Sequence, residues 1–224
     1  MCGRFVLGEY SWSQYHAFLS IIPTSSIVDT TSYNIKPTQD VSIVSLHDGV
    51  PTASQARWWF VPHWFKGEDV KAWKQTTFNA RIETAHEKPT FRTAWQSNRC
   101  LIPASGYFEW TGEKGKKQPH FVTVEQNVPV IFFAGLYSTL KDGTETCTIL
   151  TRAAEPEIAD LHPRMPVILS GERLERWLTH ADYEDRVIAD YGRDWTDKFL
   201  VRRVAKFGIS DDGPELIEPD GFEF

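Results

Sequence analysis

Cysteine is scarce in this 224-residue chain, and the three present (Cys2, Cys100, Cys147) lie far apart with no Cys-x-x-Cys pair. An odd, scattered set argues against a disulfide framework and against a structural zinc site. Long apolar runs are missing as well. The longest, Pro129 to Tyr137, falls far short of the roughly 20 residues that span a bilayer. The N-terminal Met-Cys-Gly-Arg-Phe turns polar without the apolar segment of a signal peptide. A soluble, cytoplasmic protein without membrane contact is expected. No Gly-rich phosphate loop follows any candidate strand, which disfavours a nucleotide-cofactor fold. Repeats and low-complexity blocks are absent too, and the length suits a single domain over 1–224.

Aromatic residues, by contrast, are plentiful: Phe 14, Trp 9 and Tyr 7. The formal charge of -6 excludes a molecule that is basic throughout, but the charge is uneven. Residues 1–50 carry 2 basic and 4 acidic side chains, residues 51–117 carry 11 and 6, and residues 118–224 carry 11 and 20. The middle third therefore stands at +5 and also holds Trp58, Trp59, Trp64, Trp73, Trp95 and Trp110. Interleaved cations and rings are what a single-stranded nucleic-acid groove needs, since cations follow phosphates and rings stack on bases. On composition alone the plainer reading, a solvated face over an aromatic core, stands ahead.

Trp12, Tyr15, Leu19 and Ile22 recur at helical spacing, so a helix is predicted over 10–22, stopped by Pro23. Short branched or aromatic runs then predict strands at 41–46, 57–61, 100–102, 107–110, 120–124, 130–136, 147–151, 166–169 and 199–204. A turn is expected at His47-Asp48-Gly49, and a basic hairpin loop at Gly112–Gln118. Short helices are predicted over 171–179 and 181–191. The pattern implies an α+β fold on a strongly curved mixed or antiparallel sheet with short peripheral helices.

Four residues carry candidate chemistry. A small side chain after Met1 favours removal of that methionine, which makes Cys2 the N-terminus. Such a residue offers an α-amine of pKa about 7.7–8.0 and a thiol near 8.5, both partly reactive at neutral pH. With an aldehyde, the amine forms an imine and the thiol closes on the same carbon as a thiazolidine, helped by intramolecular proximity. Asn79, in Asn79-Ala-Arg81, supplies a neutral donor and acceptor that can orient an amine or hydroxyl, and Arg81 can fork onto a phosphate. Glu109, between Phe108 and Trp110, suits general acid–base work among apolar neighbours. His162, between Leu161 and Pro163, is a candidate proton carrier in a rigid loop. Each has a plainer structural reading, and none decides the function alone.

Five blocks taken together do more: Met1-Cys-Gly-Arg-Phe5, Tyr33-Asn-x-x-Pro37, Phe78-Asn-Ala-Arg-x-Glu83, Arg99-Cys-Leu-Ile-Pro-Ala-x-Gly-x-x-Glu-Trp110 and His162-x-Arg-Met-Pro-Val-Ile-Leu169. In order and spacing they resemble the SOS-response-associated peptidase (SRAP) family, from residue 2 to about 207, leaving a tail over about 208–224. The resemblance implies covalent capture of abasic sites in single-stranded DNA, including sites at junctions with duplex. It implies Cys2 as nucleophile, Asn79 as the group that positions its amine or the sugar, and Glu109 and His162 as proton carriers. It also implies phosphate contacts from Arg4, Arg81 and Arg164, and a wedge beside the lesion from Trp64 and Phe65. A monomer without metal or other cofactor is expected, with weak strand-cleaving lyase activity when ring closure fails. Ser105 stands where many members carry Asp, and Lys36 where Ala is common, which bears on loop geometry rather than on the reaction.

Two other classes compete. Cys2 could serve an amidohydrolase or a self-cleaving peptidase that releases Met1, using its own amine as base. Alternatively the chain could be a non-covalent reader of modified bases, with Cys2 incidental. The basic-aromatic middle speaks against the first, and the company of Asn79, Glu109 and His162 against the second.

Overall fold

The computed structural model describes residues 2–8, 31–67, 69–125, 131–179 and 198–221. The helices expected over 10–22 and 181–191, and Val130 at the head of one expected strand, lie outside the described residues. In chain order the first elements are β1 (Phe5–Leu7), β2 (Ser32–Ile35), β3 (Asp40–His47), β4 (Val50–Trp58), β5 (Asn79–Arg81), α1 (Ile82–Ala85) and α2 (Arg92–Ser97). There follow β6 (Arg99–Ala104), β7 (Gly106–Thr111), β8 (Gln118–Val124), β9 (Ile131–Thr139) and β10 (Glu145–Ala153). The last are β11 (Arg164–Pro166), β12 (Ile168–Leu169), α3 (Glu172–Leu178) and β13 (Phe199–Arg203). The α+β fold is as the sequence implies, with the sheet divided in two.

The larger sheet curves into a ring. β4, β3, β6 and β9 are successive neighbours, and β10 pairs with β9 and, in parallel, with β4 at Thr146 and Cys147. β5 takes over from β4 along β10, setting Asn79 opposite Ile149 and Arg81 opposite Thr151. Asp48 and Gly49, both at positive φ (52° and 78°), form the two-residue turn between β3 and β4. That turn matches the twist of an antiparallel pair, and Gly accepts the conformation at no steric cost. β9 is buried from Ile131 to Ser138, as a continuous apolar run flanked by strands should be. At Gly135 the packing leaves no room for a side chain: a Cβ there would meet Cys100 Sγ and Ile102 Cδ1, each at 2.9 Å.

The smaller sheet runs β13-β8-β7-β1-β2, all antiparallel. Phe5 joins it to the ring, edge-on to Trp58 at 5.1 Å and to Phe133 at 5.8 Å. Burying such a ring contributes about 1.5–3 kcal/mol, so β1 holds the chain start against the core. Side chains alternate along β7. Tyr107 packs into the main core, and Phe108 into a second cluster with Val6, Phe121, Val204, Leu216 and Ile217. Glu109 therefore shares the Tyr107 face, the one turned toward the ring.

One strand expectation is corrected. The strand expected at 57–61 instead runs Val50–Trp58, because the tight turn returns the chain along β3 at once. Pro51 is tolerated since β10 meets β4 only at Arg57 and Trp58. For much of the basic-aromatic middle the plainer reading holds, since Trp58, Trp73 and Trp95 are buried in the core. Arg99 is buried with them, its guanidinium 5.1 Å from the Trp95 ring and 4.5 Å from that of Trp177, a cation–π arrangement away from solvent. The stretch beyond the resemblance, described over 208–221, packs against the body. Asn34 Nδ2 donates to the Gly208 and Asp211 carbonyls (3.2 and 2.6 Å). Among the described residues no helix is long and apolar enough to cross a membrane.

Candidate active site

Three residues before β1, Cys2 is fully buried. Asn79 Nδ2 donates to its carbonyl at 2.7 Å, and Asn79 is itself fixed where β5 meets β10. Asn79 Oδ1 is buried with no hydrogen-bond partner among the described residues, a costly arrangement unless something is to be bound there. The Cys2 thiol donates weakly to the Arg4 carbonyl at 3.7 Å. Burial pushes the thiol well above its ordinary pKa, and the charge of Glu109 pushes it further; the chain's amino terminus and the bond to Arg4 offset this only in part. The expected partial thiolate at neutral pH is therefore corrected to a protonated thiol, because charge is expensive in a dry site.

Glu109 and His162 both line a cleft of about 660 Å³, together with Gly3, Arg4, Trp110 and Phe207. Glu109 is buried in β7. The Arg164 backbone N–H donates to His162 Nδ1 at 2.9 Å, and the Arg164 carbonyl lies 3.0 Å from the same nitrogen. One residue thus offers Nδ1 a donor when the ring is neutral and an acceptor when it is charged, so either state is held in place.

Arg4 forms another wall. Its guanidinium lies 5.6 Å from the Trp110 ring and 5.7 Å from the Phe207 ring. It donates to Asn34 Oδ1 at 2.9 Å and to the Gly208 carbonyl at 3.3 Å. Lys36 Nζ donates to the Ile209 carbonyl, so the Tyr33–Pro37 block serves to clamp the chain's later segment beside Arg4. Ser105 Oγ accepts from the Gly8 N–H at 3.3 Å, which ties it to the end of β1 and not to the cleft.

The remaining candidates are placed elsewhere. Arg164 forks onto Glu83, with Nη2 donating to Oε2 at 2.8 Å, and also reaches Thr151. Burial alone would raise the Glu83 carboxyl, but the bonds and charge of Arg164 outweigh it and hold the group below its ordinary value. Arg164 thus stitches α1 to β10 and frames the His162 loop. Arg81 is exposed at the end of β5. Trp64, 47% exposed, and Phe65, partly buried, edge onto Trp73 at 5.8 and 5.2 Å in the β4–β5 connection. The structure therefore brings Arg4, Glu109 and His162 to the cleft lining beside Gly3, holds Cys2 and Asn79 together just outside that lining, and leaves Arg81, Arg164, Trp64 and Phe65 outside it as well. Lys117, Lys206 and Phe207 line the cleft without having been singled out from sequence. The Lys206-Phe207 pair, basic and aromatic in an acidic third of the chain, was the available signal. Among the described residues no cluster of His, Cys, Asp and Glu is arranged to hold a metal ion.

Residues 1–206 match the family described as SOS response associated peptidase (SRAP). The chain belongs to the SRAP family. Among its relatives, the abasic site processing protein YoqW of Bacillus subtilis (strain 168) is 32% identical over 231 residues, covering 97% of this chain and 99% of that one. The abasic site processing protein YedK of Escherichia coli (strain K12) is 30% identical over 229 residues, covering 98% and 100%. A crystal structure of a Bacteroides thetaiotaomicron protein superposes with a TM-score of 0.82 at 25% identity, covering 98% of this chain and 100% of that one. The SRAP fold here is therefore a whole-length likeness.

Proposed function

We propose that this SRAP protein captures abasic sites in single-stranded DNA as a covalent thiazolidine through Cys2. The observation that supports it best is the hold of Asn79 on the Cys2 carbonyl beside a cleft lined by Glu109 and His162. Loss of Met1 frees the Cys2 amine. That amine attacks C1′ of the ring-opened sugar, and Asn79 Oδ1 accepts an N–H to aim the lone pair. His162 supplies a proton to the departing hydroxyl, water leaves, and a C=N bond remains. The sulfur then adds to the same carbon as the π pair moves to nitrogen. The thiol proton passes through Glu109 to that nitrogen, so aldehyde, amine and thiol become thiazolidine plus one water.

A missing base removes stacking and pairing, which makes such a sugar cheap to extrude into the cleft. Arg81, exposed at the end of β5, would meet phosphate, and Trp64 and Phe65 of the β4–β5 connection would wedge against a flanking duplex end. If closure fails, the imine can pass to β-elimination and cut the strand, a minor lyase activity. A non-covalent reader has no use for a buried thiol whose carbonyl is held by Asn79. Self-removal of Met1 by the same thiol is an accessory reading.

The test is intact mass of the protein before and after incubation with abasic single-stranded DNA. A gain equal to the oligonucleotide less one water is expected, lost in Cys2→Ala. An unchanged mass for the wild type, or an undiminished heat-stable adduct for Cys2→Ala, overturns the proposal.

A further inference from the structure

Ile209 is the most exposed large apolar side chain among the described residues, at 69%. A lone exposed isoleucine needs no explanation by itself. What sets this one apart is how its backbone is held. Its carbonyl accepts from Lys36 Nζ. The Gly208 carbonyl accepts from Arg4 Nη1 at 3.3 Å and Asn34 Nδ2 at 3.2 Å, and the Asp211 carbonyl from Asn34 Nδ2 at 2.6 Å. The Gly208 N–H donates to the Asp211 carboxylate at 2.7 Å. The Asp212 carboxylate accepts from Ser32 Oγ at 3.0 Å and from the Tyr33 N–H. The polar groups of this segment are therefore tied to one another and to the body, while its one apolar side chain stays in water. A β-branched side chain is also stiff at χ1, so the protrusion is fixed before anything touches it. Its place is beside the cleft. Lys206 and Phe207, just before it in the chain, line the cleft, and so does Arg4, which grips Gly208. The Phe207 ring is packed into the wall, 4.8 Å from Phe108 and 5.8 Å from Trp110.

We infer that Ile209 is a contact for the base of one intact nucleotide next to the abasic sugar, on the side where the strand leaves the cleft past Lys206 and Phe207. The inference rests on the DNA ligand of the reading above, not on its covalent step. The two neighbours of a missing base can stack on each other and close the strand over the gap. An apolar knob packed against one of them offsets that collapse and leaves the bare sugar accessible. Because the knob is already ordered in the free protein, little entropy is lost when it is used. It meets a base through its apolar face, so it registers that a base is present and not which one. It carries no charge and releases no counterion.

Ile209→Ala shortens an exposed side chain, so its melting temperature should match wild type. The probe is single-stranded DNA carrying a tetrahydrofuran abasic analogue, which has no aldehyde to react and reports binding alone. Three oligonucleotides are compared: the analogue between two intact nucleotides, and two more in which either the 5′ or the 3′ neighbour is also replaced by the analogue. Ile209→Ala should weaken binding of the first by about 3- to 10-fold, as losing part of a buried branched side chain does. The slope of log affinity against log salt should not change. The loss should vanish when one neighbour is replaced and persist when the other is, since a contact deleted from one side of a pair cannot be lost again from the other. Any other pattern overturns the inference: no effect on the first oligonucleotide, an equal effect on all three, or an effect abolished by either replacement. The covalent step is judged separately. No mass gain with abasic DNA, with this pattern intact, removes the thiazolidine and leaves the contact, whereas an adduct formed without this pattern removes the contact alone.

Discussion

At the scale of single residues, the candidate site buries its polar groups: a thiol, a carboxyl, and an amide oxygen with nothing among the described residues to accept from. Glu109→Gln and His162→Ala are each expected to slow capture about 100- to 10,000-fold, the usual range for a positioned proton carrier; quench-flow rates checked against unchanged melting temperatures test this. Asn79→Ala removes the donor to the Cys2 carbonyl, so capture should fall while stability drops by only about 1 kcal/mol, the usual net worth of one hydrogen bond. Most of these residues were legible because their chemistry is carried by residue type within short motifs. Lys117 and Lys206 were not, since what lines the cleft depends on where the β7–β8 loop and the segment after β13 are brought in space. Arg164 shows the other limit: a cation looks alike in sequence whether its role is to meet phosphate or to brace the fold, and here it bonds Glu83 and Thr151.

At the scale of elements, packing sets how much change the ring will accept. Gly135→Ala drives a methyl into Cys100 and Ile102 and is expected to cost about 1–3 kcal/mol, as overpacking does. Chemical denaturation measures it, and a neutral result would mean that β6 and β9 can spread. Strands with strong branched or aromatic patterns, such as β3, β8, β9 and β10, were readable from their own residues. β1, β2 and β5 are three or four residues long, and their extended form comes from the strands beside them. β4 escaped for a related reason: Pro-Thr-Ala-Ser-Gln has little β-propensity, and pairing with β3 along its whole length supplies what the side chains do not.

For the whole molecule, charge and pH give the clearest expectations. DNA affinity should fall with salt despite the net -6. The double variant Lys117→Ala/Lys206→Ala removes two cations from the cleft lining. It should lower the slope of log affinity against log salt by about 0.7 for each phosphate left without its cation. Trp64→Ala should instead weaken junction binding by about 1–3 kcal/mol with the slope unchanged, because stacking is not a counterion effect. Alkaline stability follows from the thiols. Cys2, Cys100 and Cys147 are all raised, each by burial first. A raised folded value means that the native state keeps protons the unfolded chain gives up. Stability is therefore full below the unfolded thiol value of about 9 and falls as pH rises beyond it. Melting temperatures should drop between about pH 8 and pH 10, and a flat profile would contradict the burial of these groups.

The clamp between Arg4 and Gly208 also sets a clock. The two residues are 204 positions apart, and a ribosome adding roughly 5–20 residues per second leaves the first waiting on the order of ten to forty seconds for the second. During that interval the nascent chain carries Cys2 without the Phe207 wall beside it. Chains stalled before Phe207 should therefore bear the nucleophile and yet fail to capture an abasic strand. Only once Gly208 has been made can the clamp on Arg4 close.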